Sequence, residues 1–176
     1  MSTLGKSVRV MAACAAVVVA AGCGSDAVAG SPTAAPLGDA QFDPCSIPDE
    51  AIAAAGADPG TEQPDIFGVD LSEWNVCKWD SNSWYYLGVL STTYSFDQVR
   101  DNPQSRAFQE VVVGTRDAVS YLDVNDPDLS DCDVAFSSSR GVLIVRVTTK
   151  VNEVSASPPC DVATRAANAL DSYLPR

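Results

Sequence analysis

Hydrophobic residues follow two different patterns along this chain of 176 residues. Residues 10–21 form one unbroken apolar run, whereas from residue 42 onward apolar positions alternate with polar ones or recur every three to four residues. Alternation is typical of strands, and the longer period is typical of helices. The pattern therefore separates a short apolar leader from a folded domain.

Three segments of the domain carry helix signals. Residues 47–55 follow Ser46 and end before Gly56, and Ser95 with Gln98 forms a capping box that opens a short helix. A final helix is predicted after Pro158, and its apolar stripe should pack against the rest of the domain. That stripe consists of Val162, Ala166, Ala169, Leu170 and Tyr173.

Six segments rich in β-branched and aromatic residues predict strands joined by tight turns. Their order with the helices is helix, two strands, short helix, four strands and helix. Because strands and helices do not alternate, we expect the α+β class, an antiparallel β-sheet with the N- and C-terminal helices packed on one face. The predicted strands cover residues 76–80, 84–91, 108–113, 117–122, 131–137 and 142–149.

The apolar run at residues 10–21 is too short for a comfortable membrane span, and Lys6 and Arg9 precede it, as in a signal peptide. The following Ala20-Ala21-Gly22-Cys23 resembles a bacterial lipobox, although that motif usually has Leu where Ala20 stands. The resemblance implies cleavage after Gly22 and acyl chains on Cys23. The alternative is an ordinary secreted protein that is cleaved a few residues later.

These signals divide the chain into three parts. Residues 1–22 are predicted to be a signal peptide, residues 23–41 a lipidated flexible tether rich in small residues and proline, and residues 42–176 a single disulfide-bonded α+β domain. The tether would span about 20–25 Å on average. We therefore expect a protein anchored by lipid to the cell membrane, facing outside the cytoplasm.

Four cysteines remain in the domain after Cys14 and Cys23 are set aside: Cys45, Cys77, Cys132 and Cys160. An even number in an exported domain predicts two disulfides. Three pairings are open, and we favour 45–77 with 132–160 because each closes a short loop beside a predicted helix. No CxxC pair is present, so a site with four thiolates bound to zinc is disfavoured.

Charge and composition exclude several functions. The segment before Cys23 holds two of the 11 basic residues and no acid, so the mature chain has nine bases against 23 acids, a net charge of about −14. Such a surface repels nucleic acid. The chain has no histidine, which excludes Ser-His-Asp and Cys-His catalysis and His-ligated metals. The acidic stretch at 123–133 lacks the glycine and glutamate of a calcium loop. We expect no cofactor and no metal.

The aromatic residues are the candidate binding surface. Trp79, Trp84, Tyr85 and Tyr86 lie close together in the sequence and could line a groove for a glycan or lipid. The alternative is that they pack in the core and across strands. The turn at 114–116 could likewise be an anion-binding nest or an ordinary turn with positive φ at its glycine.

Several short motifs in one order resemble the actinobacterial Lpr-type lipoproteins of the family called domain of unknown function 3558. The resemblance covers residues 41–176 and implies a cell-envelope lipoprotein with no established activity and no catalytic residues to carry over. Among the motifs are Phe42-Asp-Pro-Cys45, Cys77-Lys-Trp79, Val113-Gly-Thr-Arg-Asp-Ala118, Cys132-Asp-Val134 and Pro159-Cys-Asp161.

Three functions are consistent with this sequence. The leading expectation is a binding or interaction domain without catalytic residues, which contacts the membrane through lipid on Cys23 and recognises an envelope protein. The second is a carrier that buries a small apolar ligand such as a lipid or glycolipid. The third is a hydrolase that uses carboxylates alone, and no pair among the 23 acids stands out for that chemistry.

Overall fold

The structure is a computed structural model that describes residues 41–64 and 73–176. The predicted signal peptide, the lipobox with Cys23 and residues 23–40 of the predicted tether lie outside the described residues. Within the described part of the chain, every helix is too short or too polar to cross a membrane.

In these residues seven antiparallel strands form one sheet, in the order β1-β2-β3-β7-β6-β5-β4. Strand β7 pairs with β3 on one side and β6 on the other, so the centre of the sheet joins residues about 60 positions apart. The mixed α+β class is confirmed, and β1 is an addition that the sequence did not predict. The strands are β1 Gln63–Pro64, β2 Trp74–Asp80, β3 Tyr85–Thr92, β4 Ser105–Val113, β5 Arg116–Asp123, β6 Asp131–Ser138 and β7 Gly141–Thr149.

Helix α1 (Asp49–Ala54) begins later than the sequence indicated. Ser46 is not its cap, because Pro44–Ser46 forms a separate 3₁₀ turn in which the Asp43 carboxylate accepts the Cys45 N–H. The predicted start is therefore wrong. The predicted stop is confirmed: Gly56, with φ +93°, follows the helix in a conformation that favours glycine.

Helices α2 (Phe96–Arg100) and α3 (Pro159–Leu170) begin where the sequence predicts them. In α2 both bonds of the Ser95–Gln98 capping box are present. Pro159 is the first residue of α3, where its missing N–H costs nothing. Five side chains of α3 are buried: Val162, Ala163, Ala166, Ala167 and Leu170.

Buried apolar residues divide into two clusters. The first contains the buried side chains of α1 and α3 with alternate residues of the strands, such as Val89 and Val145. The second is smaller and contains Val99 of α2 with the intervening strand residues, such as Leu90 and Ile144. The period-two pattern of each strand therefore supplies both clusters.

Two disulfides are present among the described residues, as the four cysteines of the domain predict. Cys45–Cys77 joins the first 3₁₀ turn to β2, and Cys132–Cys160 joins β6 to the first turn of α3. They close separations of 32 and 28 residues, and they are the pairs that the sequence favoured.

Candidate functional site

The aromatic residues do not form one groove. Trp79, Trp84 and Tyr85 are buried in the first cluster, and Trp84 and Tyr85 meet edge to face with ring centroids 5.1 Å apart. The Tyr85 hydroxyl donates to the Gly56 carbonyl at 3.1 Å, and burial raises the pKa of Tyr85. Because successive strand residues point to opposite sides, Tyr86 lies away from the other three rings.

Tyr86 is instead surrounded by cations. The ammonium nitrogens of Lys78 and Lys150 lie 4.7 and 5.4 Å from the centroid of its ring, within the range of cation–π attraction. Lys150 also donates to the Ser81 carbonyl at 2.7 Å. The ring therefore lies between two lysine ammonium groups, and it does not extend an aromatic surface.

A polar row crosses three strands of the sheet. Tyr121 on β5 pairs with Asp133 on β6, which pairs with Arg146 on β7. Arg146 donates Nε to Asp133 Oδ1 at 2.6 Å and Nη2 to Oδ2 at 2.7 Å, a bidentate geometry. Burial, followed by the negative charge of Asp133, raises the pKa of Tyr121, and the same carboxylate raises the pKa of Arg146. The row is a fully engaged structural network.

The raised pKa of Tyr121 gives a direct test of this network. In a pH titration followed by tyrosinate absorbance, we expect Tyr121→Phe and the parent protein to give the same absorbance change up to about pH 11. The reason is that the buried Tyr121 phenol stays protonated in a range where a free tyrosine, with a pKa of about 10, ionises. Tyr86→Phe, at a half-buried ring, is the comparison variant. A loss of one full tyrosine from the Tyr121→Phe titration in that range would show that the phenol is solvated.

The acidic stretch at 123–133 is a hydrogen-bonded turn. Asp126 accepts the Ser130 hydroxyl at 2.9 Å and the Asp131 N–H at 2.8 Å, and Asp123 accepts the Asn125 N–H at 2.7 Å. Burial raises the pKa of Asp131, although Arg146 opposes this shift. These carboxylates serve the turn itself.

One group of potential metal ligands is present among the described residues: Cys45, Cys77 and Glu62, whose ligand atoms all lie within 4.8 Å of one another. Both sulfurs belong to a disulfide, and a disulfide offers no thiolate to a metal. This group would acquire metal affinity only after the disulfide is reduced.

The turn between β4 and β5 is held by the end of α3. Gly114, at φ +61°, donates its N–H to the Asn168 side-chain oxygen at 2.9 Å, and a Cβ at this glycine would collide with the Asp171 carboxylate. Arg116 binds that carboxylate and donates to the Pro175 carbonyl at 2.8 Å. The anion beside this turn is thus the protein's own Asp171. We call these contacts the β4–β5 clamp.

Sequence reasoning missed Asn168 and Asp171 as the partners of this turn. The available signal was their position: both are polar residues beside the apolar stripe of the last helix. The guanidinium of Arg116 also lies over the Phe136 ring, 4.5 Å from its centroid. The motif at residues 113–118 therefore has a structural role in attaching a hairpin to α3.

A surface groove of about 520 Å³ lies between α2 and the strands β4, β5 and β6. Arg100 bridges its two sides, since its Nη2 lies 2.8 Å from Glu110 Oε1 and its guanidinium carbon is 5.9 Å from the Phe96 ring centroid. A groove with charged walls can recognise a charged or extended ligand. Its lining also includes Asp117, Ser137 and Arg116.

Comparison with known proteins identifies a family. The profile of the family described as "Protein of unknown function (DUF3558)" matches residues 10–173, nearly the whole chain. No curated protein and no solved structure matches this chain.

Proposed function

The chain belongs to the DUF3558 family, and from that membership we propose that its mature form is a lipid-anchored binding or interaction domain at the cell envelope. The observation that carries this proposal is the apolar run that ends in Ala20-Ala21-Gly22-Cys23, followed by a tether and a disulfide-bonded domain. A lipid at Cys23 would hold the domain at the outer face of the membrane and leave it free to turn.

Several properties support a binding role without catalysis. The chain has no histidine, and Tyr121 and Arg146, whose pKa values are raised, both interact with Asp133 across the sheet. Catalytic groups with shifted pKa values instead sit in clefts where a substrate can reach them. The groove beside α2 has an exposed ion pair on its wall, which suits recognition of a partner.

The lipid anchor is tested by replacing Cys23. We expect Cys23→Ser to shift the protein from the membrane fraction to the medium and to abolish incorporation of labelled palmitate, because serine cannot receive the thioether-linked lipid. Cys14→Ser is the matched control, since Cys14 lies in the segment that is removed. A Cys23→Ser protein that still sediments with membranes would refute lipid anchoring at this residue.

The second candidate is a carrier of a small apolar ligand. The Cys23→Ser protein can be used to distinguish a carrier from an interaction domain. Native mass spectrometry of a carrier would show added mass that organic solvent removes. The bare chain mass favours the interaction domain. We favour the latter because Trp79, Trp84 and Tyr85 fill the core and the described groove is walled by charged residues.

We also propose that α1 and α3 cover one face of the sheet and α2 covers part of the other. Support comes from the shared first cluster, from the contacts of α3 with α1, β6 and β7, and from the placement of Val99 in the second cluster. This arrangement leaves the groove beside α2 next to the outer strand β4.

A further inference from the structure

The two edges of the sheet differ. Strand β1, at one edge, is two residues long and ends at Pro64, and such short proline-containing edges resist further pairing. Strand β4, at the other edge, has nine residues, and no other described strand pairs with its outer side. Val112 on β4 is 57% exposed. The sheet therefore has one long edge that is open to another strand within the described chain.

The hairpin register shows which backbone groups of β4 face outward. Val113 pairs with Arg116 across a two-residue turn, and alternate residues of an antiparallel strand direct their N–H and C=O groups away from the partner strand. Val112 and Glu110 are those residues. Consistent with this, the Asn168 side-chain nitrogen reaches the Val112 carbonyl from outside the sheet, at 3.2 Å.

The groove beside α2 lies next to this edge. Glu110, whose side chain is 69% exposed, belongs to both, and Asp117 on β5 adds a second carboxylate. The bulge between Arg106 and Gln109 ends the regular edge on one side, and Asn168 covers its other end. About four residues, 109–112, remain for pairing beside a groove wall that holds these two carboxylates and the guanidiniums of Arg100 and Arg116.

We propose that residues 109–112 of β4 receive an extended segment of a partner protein as an added strand, a segment of alternating β-branched and basic residues. The proposal rests on the interaction role proposed above and names its partner class. Backbone pairing supplies the attachment, and Val111 meets the β-branched side chains on one face of the sheet. On the opposite face the carboxylates of Glu110 and Asp117, together with the net negative charge of the domain, attract the basic side chains. A second copy of this chain is disfavoured because two bodies of net charge about −14 repel each other.

The test uses the secreted Cys23→Ser chain and two blocked hexapeptides, one of alternating lysine and valine and one with glutamate in place of lysine. Binding of the lysine peptide should slow amide exchange at Glu110 and Val112 about tenfold or more, because these N–H groups become paired. The glutamate peptide should leave their exchange unchanged. Exchange is read residue by residue by NMR.

Glu110→Pro and Glu110→Thr form a matched pair of variants. Both remove the carboxylate, but only proline removes the outward N–H, and an edge strand tolerates proline at such a position. We expect proline to weaken peptide binding about tenfold and threonine only about two- to threefold, since threonine loses a rim charge alone. Urea unfolding of both variants checks that the fold persists.

Three results would overturn the added strand. Equal binding of the lysine peptide to both variants would mean that the peptide is held by charge attraction without strand pairing. Slow exchange at Glu110 and Val112 without peptide would mean that the chain itself covers the edge. The third result is amide exchange that the peptide leaves unchanged, while a photo-crosslinker placed at Val154, which is 85% exposed, captures an envelope protein. That result would keep the interaction role and exclude this edge as the binding site.

Discussion

Replacing Arg116 with alanine is expected to lower the free energy of unfolding by about 3 kcal/mol, because the buried Asp171 carboxylate then keeps only Arg176 as a cation, 3.2 Å away and 62% exposed. The Arg116 and Asp171 side chains are each only 12% exposed. Arg116 also donates to the carbonyls of Pro175, at 2.8 Å, and Asp171, at 3.3 Å. Equilibrium urea unfolding, followed by the fluorescence of the buried tryptophans, measures the change.

Arg100→Ala is the control for this experiment. Arg100 forms an ion pair of similar kind with Glu110, but the two side chains are 43% and 69% exposed, so its loss should cost at most about 1 kcal/mol. Comparable losses in the two variants would mean that the β4–β5 clamp is as solvated as a surface pair. Both variants remove one guanidinium, and the contrast measures the burial of Arg116 together with its two carbonyl hydrogen bonds.

Loss of the Cys132–Cys160 disulfide is the second large effect. The double change Cys132→Ser and Cys160→Ser should lower the free energy of unfolding by roughly 3–4 kcal/mol, because the bond closes a separation of 28 residues and restricts the unfolded chain. It also ties the start of α3 to the buried strand β6. Urea midpoints of the variant and the parent, both without reductant, give the difference.

The corresponding change at Cys45 and Cys77, with a separation of 32 residues, should have a similar effect and serves as the comparison. Thiol titration of the native parent provides the check on both. Four reactive thiols in the unreduced domain would contradict the two disulfides. Thiols that appear only after denaturation and reduction would agree with them.

Strand positions were predictable because each strand buries one side more deeply than the other or is bounded by turn residues. The capping box at Ser95 and the glycine after α1 were also predictable, because each depends only on residues within four positions in the sequence. The start of α1 was misassigned because Ser46 and Asp43 are equally good caps by residue type. Only the backbone geometry shows that Asp43 caps a separate turn.

The polar row and the β4–β5 clamp depend on register, and a single sequence does not specify register. Asp133 meets Arg146 only because β6 and β7 pair across the turn before Gly141, and Tyr121 joins them only through a third strand. The aromatic residues show the same difficulty. Their nearness in sequence allowed either a groove or core packing, and alternation along β3 separates Tyr86 from Tyr85, whose ring fills the core.

The place of β7 between β3 and β6 has a consequence for the order in which the protein can be made. A chain that emerges amino end first, from a ribosome or a secretion channel, presents the hairpin of β2 and β3 long before β7 exists. Until residue 149 is out, β3 has an unpaired edge, and the first cluster lacks the helix that closes it. The complete sheet can therefore form only at the end of synthesis, and until then the unpaired edge of β3 is exposed to aggregation.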